Sequence, residues 1–173
     1  RYYGDTKILE SQYQSMKEWV EYISGVSGDT YLWQPKVERQ FGDWLAFATT
    51  RSDYPGATTD KDLLATAYFY HSTHLLQKVA VLLGKNQDAE KYESLKKNIK
   101  TAFNKEFVTP NGRLASNTQT AYVVSLSFGL LPSDIEEVAA ERLAEDVNKF
   151  QQLTTGSLGA PDISQSLTKS GYL

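Results

Sequence analysis

Phe41-Gly42-Asp43-Trp44-Leu45 sets a carboxylate beside an indole, after a glycine that permits close approach. An indole offers a flat apolar face and a carboxylate accepts hydrogen bonds. The pair therefore suits a ligand with a C–H face and hydroxyls, such as a pyranose. The same residues also read as a helix cap, Asp43, followed by a core side chain, Trp44. The stretch around them carries similar chemistry in bulk. The 34 residues of Gly25–Thr58 hold six aromatics, Tyr31, Trp33, Phe41, Trp44, Phe47 and Tyr54, among Asp29, Glu38, Arg39, Asp43, Arg51 and Asp53. Connections longer than roughly 12–15 residues without a long element are uncommon and often functional. Sugar contacts and a well-packed structural loop both fit this composition.

Two further segments offer polar groups to a ligand. Thr118-Gln119-Thr120 stands before an apolar helical run, so it either caps that helix or presents the Gln119 amide at its mouth. Thr154-Thr155-Gly156-Ser157-Leu158-Gly159-Ala160-Pro161 has hydroxyls and two glycines but lacks the lysine and spacing of a phosphate loop. It is expected to be shaped for close packing or for a neutral ligand.

The remaining titratable groups point to structure. His71 and His74 share one helical face, but no further His or Glu completes a metal site, so packed histidines and no metal are expected. Glu136, Glu137, Glu141 and Glu145 alternate with Arg142 and Lys149 as a solvated helix face does. Hydrolysis of a glycosidic bond needs two carboxyl groups in opposed roles. Nothing inside this chain picks out such a pair, so no catalytic residue is assigned to it. No cofactor motif is found.

Composition narrows the partners. The 173 residues carry 18 basic and 21 acidic side chains, a net charge of −3, which gives no footprint for a phosphate backbone. Nucleic acid is not expected as a partner. There is no cysteine, hence no disulfide, thiolate nucleophile or Cys–zinc site. The longest apolar run, Val79–Leu83, is too short to span a bilayer, and no membrane partner is expected.

The elements that must position these residues are helices. Leu9, Tyr13, Met16, Val20 and Ile23 form one stripe on a helix over 6–24, capped by Asp5 and stopped by Gly25. A second helix starts after a Thr59 cap with Asp62 as its box partner and runs to Leu83, burying Leu64, Ala67, His71, Leu75, Val79 and Leu82. After Gly84-Lys85 a third, capped near Asn86, reaches Phe107 with Tyr92, Leu95, Ile99, Ala102 and Phe103 inward; so short a link makes the two antiparallel. Shorter helices are expected from Thr118 to Phe128, from a Ser133/Glu136 capping box to Lys149, and from Pro161 or Asp162 to Gly171. Val108-Thr109 and Arg113-Leu114 form at most a small ribbon around Asn111-Gly112. The fold class is all-α, built of antiparallel helical hairpins.

The order of segments has a family likeness. Tyr3-Gly4-Asp5 leads a long helix, then come Phe41-Gly42-Asp43-Trp44-Leu45, Ala65-Thr66-Ala67-Tyr68, Leu82-Leu83-Gly84-Lys85, Thr118-Gln119-Thr120-Ala121-Tyr122, Phe128-Gly129-Leu130-Leu131-Pro132 and Leu153-Thr154-Thr155-Gly156. This order resembles the catalytic domain of bacterial alpha-L-rhamnosidases, glycoside hydrolase family 78, over essentially the whole chain. The resemblance implies an (α/α)6 toroid and an inverting hydrolase that releases terminal alpha-L-rhamnose. It implies that Trp44 lines the rhamnose pocket, with Asp43 beside it and Gln119 and the Thr155-Gly156 loop near the mouth. The family's general acid lies before the segment matching Tyr3-Gly4-Asp5, and its general base lies in a Trp-Glu motif after the segment matching the end of this chain. Neither motif is present. The family also usually carries a bulkier apolar residue where Ser157 stands and Thr or a similar residue at Ala160.

Six helices are about half of the twelve that such a toroid needs. On this reading residues 1–173 are a single partial domain, inactive alone. Its apolar edge would then be covered by the rest of the catalytic domain or by self-association. Two other readings stand beside this one. Other six-hairpin glycosidases share hairpins of this type. A tetratricopeptide-like binding scaffold is hinted at by Ala80, Gly84, Ala89 and Tyr92, but it requires a second copy at a period near 34 residues, and none is present.

Overall fold

A computed structural model describes residues 4–34, 40–47 and 59–172. Tyr3, Glu38, Arg39, Arg51, Asp53, Tyr54 and Thr58, all used in the sequence reading, lie outside the described residues. The described chain forms α1 (Lys7–Ser27), a 3-10 turn (Gly28–Thr30), α2 (Lys61–Leu82), α3 (Asn86–Phe107), α4 (Gln119–Ser127), α5 (Ser133–Phe150) and α6 (Ile163–Lys169). Among these residues the only β pairing is an isolated antiparallel bridge between Val108 and Leu114, flanking the Asn111-Gly112 turn. The all-α class and the hairpin architecture are as the periodicity predicts.

α1 buries Tyr13, Val20 and Ile23, with Leu9 and Met16 partly covered, which is the expected stripe. It runs through Gly25 and ends at Gly28 instead. Gly28 has φ 52 and its N–H caps the Ser24 carbonyl, so the backbone position that needs a glycine is Gly28, not Gly25. The Asp5 carboxylate accepts from the Lys7 N–H, just ahead of the first turn.

α2 is the central helix, contacting α1, α3 and α4. It is therefore buried on more than one face: Leu63, Leu64, Ala67, Phe69, Tyr70, Leu76, Val79 and Ala80 are all enclosed, together with Thr66 and Thr73. The single stripe expected from the sequence fails here, and Leu75 and Leu82 lie exposed. The two buried threonines are satisfied internally: Thr73 donates to the Phe69 carbonyl, and Thr66 Oγ1 accepts from the Trp33 N–H. The cap is also corrected. Asp60, not Thr59, accepts from the Leu63 N–H at 2.8 Å, while the Thr59 hydroxyl meets that of Thr118.

Lys85 precedes the first residue of α3, and Pro132 precedes that of α5 with no side-chain cap bond. Ser133 is thus already helical, and the expected capping box does not form. α3 buries Tyr92, Ile99, Phe103 and Phe107 against α2. A polar seam joins α1 to α3: Tyr13 and Lys17 donate to Asp88, and Lys91 and Tyr92 donate to Glu21. α4 is almost wholly buried and packs on α5, α6 and α2, which brings Gln119 and Thr120 to the centre.

Candidate active-site wall

The Gly42-Asp43-Trp44 turn forms where two residues take left-handed backbone angles, Gly42 at φ 67 and Leu45 at φ 64. For Leu45 that conformation costs about 1 kcal/mol or more, so something must hold it. The holding group is Asp43, which is completely buried. Its Oδ2 accepts from the Gly156 N–H at 2.7 Å and from the Thr120 hydroxyl in the first turn of α4. Its Oδ1 accepts from the Leu158 N–H at 2.8 Å. Between those two amides, the Ser157 N–H donates to the Trp44 carbonyl at 2.9 Å. Three successive loop amides thus converge on residues 43 and 44, two on the Asp43 carboxyl group and one on the Trp44 carbonyl. No Lys or Arg pairs with that carboxyl group among the described residues; the hydrogen bonds offset its desolvation.

Glycine makes that fit possible. A Cβ on Gly159 would stand 2.6 Å from Thr120 Oγ1, and one on Gly156 would meet the backbone of Trp44 and Ala46. A further bond, from the Phe47 N–H to the Thr154 carbonyl, extends the pairing of the turn with the loop.

The four candidate contacts separate into two kinds. Asp43 and Gln119 are fully buried and internally engaged. The Gln119 amide accepts from the Thr154 N–H at 2.8 Å and donates to the Gln152 carbonyl at 3.3 Å. Additional chain around them can only bury them further. Their side-chain hydrogen-bonding groups are turned toward the protein's own loop and the first turn of α4. Trp44 is different: it is 47% exposed and meets Phe41 edge-on at a centroid distance of 6.3 Å. Thr155 is half-buried, and its Oγ1 is enclosed without a hydrogen-bond partner.

Beside the turn lies a small apolar cleft of about 190 Å³, lined by Trp33, Phe41, Gly42, Leu64, Tyr68 and Leu158 among others. Burial, then the nearby carboxylates of Asp162 and Asp43, push the Tyr68 phenol above its usual range. Its ring packs edge-on to Phe128, which also stacks on His71 at 4.1 Å. Burial lowers the pKa of both His71 and His74, so each favours the neutral ring. Among the described residues, no group of three or more His, Cys, Asp or Glu is placed to hold a metal ion.

The sequence reading missed that the partners of Asp43 are the Thr120 hydroxyl and the amides of Gly156 and Leu158. Backbone amides carry no residue signature. The paired glycines of the 154–161 loop, read as signs of close packing, were the available signal.

Known proteins resemble this chain in sequence and in fold. The chain is 35% identical over 173 residues to an alpha-L-rhamnosidase of Formosa agariphila, covering 98% of this chain and 18% of that protein. The structure of Streptomyces avermitilis alpha-L-rhamnosidase complexed with L-rhamnose superimposes with a TM-score of 0.84 at 36% identity, covering 98% of this chain and 15% of that one. Native alpha-L-rhamnosidase from Aspergillus terreus superimposes with a TM-score of 0.88 at 34% identity, covering 98% of this chain and 20% of that one. The chain therefore spans no more than a fifth of the length of these relatives. The family model for the bacterial alpha-L-rhamnosidase six-hairpin glycosidase domain matches residues 1–172, and the chain belongs to that family.

Proposed function

We propose that this chain forms part of the catalytic domain of an inverting glycoside hydrolase that releases terminal alpha-L-rhamnose. Its contribution is one wall of the sugar pocket. The observation that carries the reading is Trp44: a half-exposed indole on a strained turn, braced from behind by a buried carboxylate. Such a ring is a fixed stacking platform for the C–H face of a pyranose. Thr155, next to Gly156 in the same loop, keeps its hydroxyl enclosed, so it lines the mouth without offering that hydroxyl to the sugar.

The reaction needs a general acid on the leaving oxygen and a general base on a water, with the two carboxyl groups roughly 6.5–9.5 Å apart. Neither family motif for these groups lies in this chain, so both come from outside it. Ile8, Trp19, Tyr22 and Val26 of α1 are exposed along one helical face. In the complete (α/α)6 toroid the remaining helices cover this face, and the isolated chain would self-associate through it.

Two preparations test the reading. The full-length protein should release p-nitrophenol from p-nitrophenyl alpha-L-rhamnoside, and the 173-residue chain alone should release none. Release by the chain alone at the full-length rate would overturn the division of labour.

A further inference from the structure

We propose that Asp43 is a positioning residue for substrate binding, acting through Trp44 and the 154–160 loop without touching the sugar. The inference rests on the rhamnoside reading of the site.

Geometry supplies the argument. The Asp43 side chain ties the 154–160 loop to α4, through the Gly156 and Leu158 amides and the Thr120 hydroxyl. Asp43 is also the residue directly before the candidate platform. The loop in turn fixes Trp44 through the Ser157 N–H on its carbonyl. The Trp44 backbone is thus held on both sides, by its neighbour's carboxylate and by the loop that this carboxylate organises. Leu45, at φ 64, follows immediately and would relax to an ordinary backbone angle if the bonds were lost. Such relaxation would swing the Trp44 indole. Full burial keeps Asp43 itself out of reach of a ligand.

Replacing the carboxylate with an amide preserves size but turns one acceptor into a donor facing the loop's donors. The consequence falls on binding, because the platform is displaced while the groups that perform the chemistry lie elsewhere. Thr120→Val removes one donor to the same carboxylate and leaves both amide bonds in place, so it is the milder variant.

The test uses the full-length protein, with Asp43→Asn and Thr120→Val assayed beside the wild type on p-nitrophenyl alpha-L-rhamnoside. L-rhamnose binding is measured by calorimetry. For Asp43→Asn the expected result is a KM about tenfold higher, kcat within threefold of wild type and rhamnose affinity reduced to match. Thr120→Val should show the same pattern at about threefold. If Asp43→Asn does not fold, the KM-only pattern in Thr120→Val decides the matter alone. Wild-type KM in a folded Asp43→Asn, or in Thr120→Val, overturns the proposal. So does a kcat collapse with KM and rhamnose affinity unchanged, which would place the carboxylate among the reacting groups. A wild-type protein that neither cleaves the rhamnoside nor binds rhamnose overturns the rhamnoside reading itself, an outcome distinct from the variant results.

Discussion

Gly156 lies so close to Trp44 that a Cβ on it would stand 2.4 Å from the Trp44 carbonyl oxygen and 2.7 Å from the Ala46 amide nitrogen. Both are backbone atoms, so neither can rotate away. The loop and the aromatic turn therefore share a surface with no room for a methyl group. Gly156→Ala should destabilise the fold by about 1–3 kcal/mol, as overpacking does. In the full-length protein it should also raise KM for a rhamnoside by displacing the turn. The contrasting variant is Gly25→Ala, in the exposed helical run of α1 with nothing within 4 Å of the added Cβ. It should stabilise by about 0.5–1 kcal/mol. Thermal unfolding of the two variants side by side checks both signs; an equal or higher melting temperature for Gly156→Ala would show that the loop is not tightly seated.

Gln119 is fully buried and serves the same loop from the other side. Its Oε1 accepts from the Thr154 N–H, which has no place to turn to solvent. Gln119→Leu leaves that amide unsatisfied and should destabilise by about 1–3 kcal/mol. Gln119→Glu keeps an acceptor for Thr154 but sets a second carboxylate oxygen against the Gln152 carbonyl at a buried position, so it too should destabilise. Chemical denaturation that finds either variant as stable as the wild type would contradict this assignment of the two amide atoms.

The helices were legible because burial repeats with a helical period on α1 and α3, where a single face meets the core. α2 was misjudged along its length for a physical reason: it is enclosed by three helices, so no one stripe describes it, and Phe69, Tyr70 and Leu76 are as buried as Leu64. Caps were the least legible feature. Thr59 and Asp60 are adjacent and both cap well by type, and a tertiary contact separates their roles: Thr59 bonds to Thr118, beyond α3 in the chain, and Asp60 caps. At the site, the residue types of Asp43 and Trp44 were informative, but their roles were not separable. One carboxylate beside one indole looks alike whether it faces a sugar or three donors behind the wall. The donors come from residues more than 75 positions away, as the Asp43 bonds to Thr120 and Gly156 show.

The histidines predict an acid-side loss of stability. Burial, and next the nearby Lys78 for His74, hold both rings below the ordinary imidazole pKa; for His71 the Asp162 carboxylate opposes this without reversing it. A base with a lowered folded pKa binds its proton more readily in the unfolded chain. Stability is then complete above the ordinary imidazole value and falls as pH drops from there through the lowered folded value. The carboxylates Asp88 and Glu21, held low chiefly by hydrogen bonds from Tyr13 and Lys91, lose their contribution only at lower pH, below the ordinary carboxylate range. Melting temperature should therefore fall between pH 7 and pH 5, and His71→Phe, which keeps the stack on Phe128, should flatten part of that slope. An unchanged slope would mean that His71 is freely solvated when the protein is folded.

Trp44 carries the most direct functional prediction. At 47% exposure its ring lies outside the main core, so Trp44→Ala should lower the melting temperature less than truncation of a fully buried aromatic such as Phe103. A sugar face covering roughly 60 Å² of the ring, at about 25 cal/mol per Å², stabilises the complex by about 1.5 kcal/mol. Its loss corresponds to roughly a tenfold rise in KM. Trp44→Phe keeps a smaller ring in the same place and should fall between the two. Removal of a stacking platform acts equally on bound substrate and transition state, so kcat should change far less than KM. Steady-state kinetics of the full-length protein on p-nitrophenyl alpha-L-rhamnoside separate these outcomes. A wild-type KM for Trp44→Ala would remove the indole from the pocket and leave the turn a purely structural device.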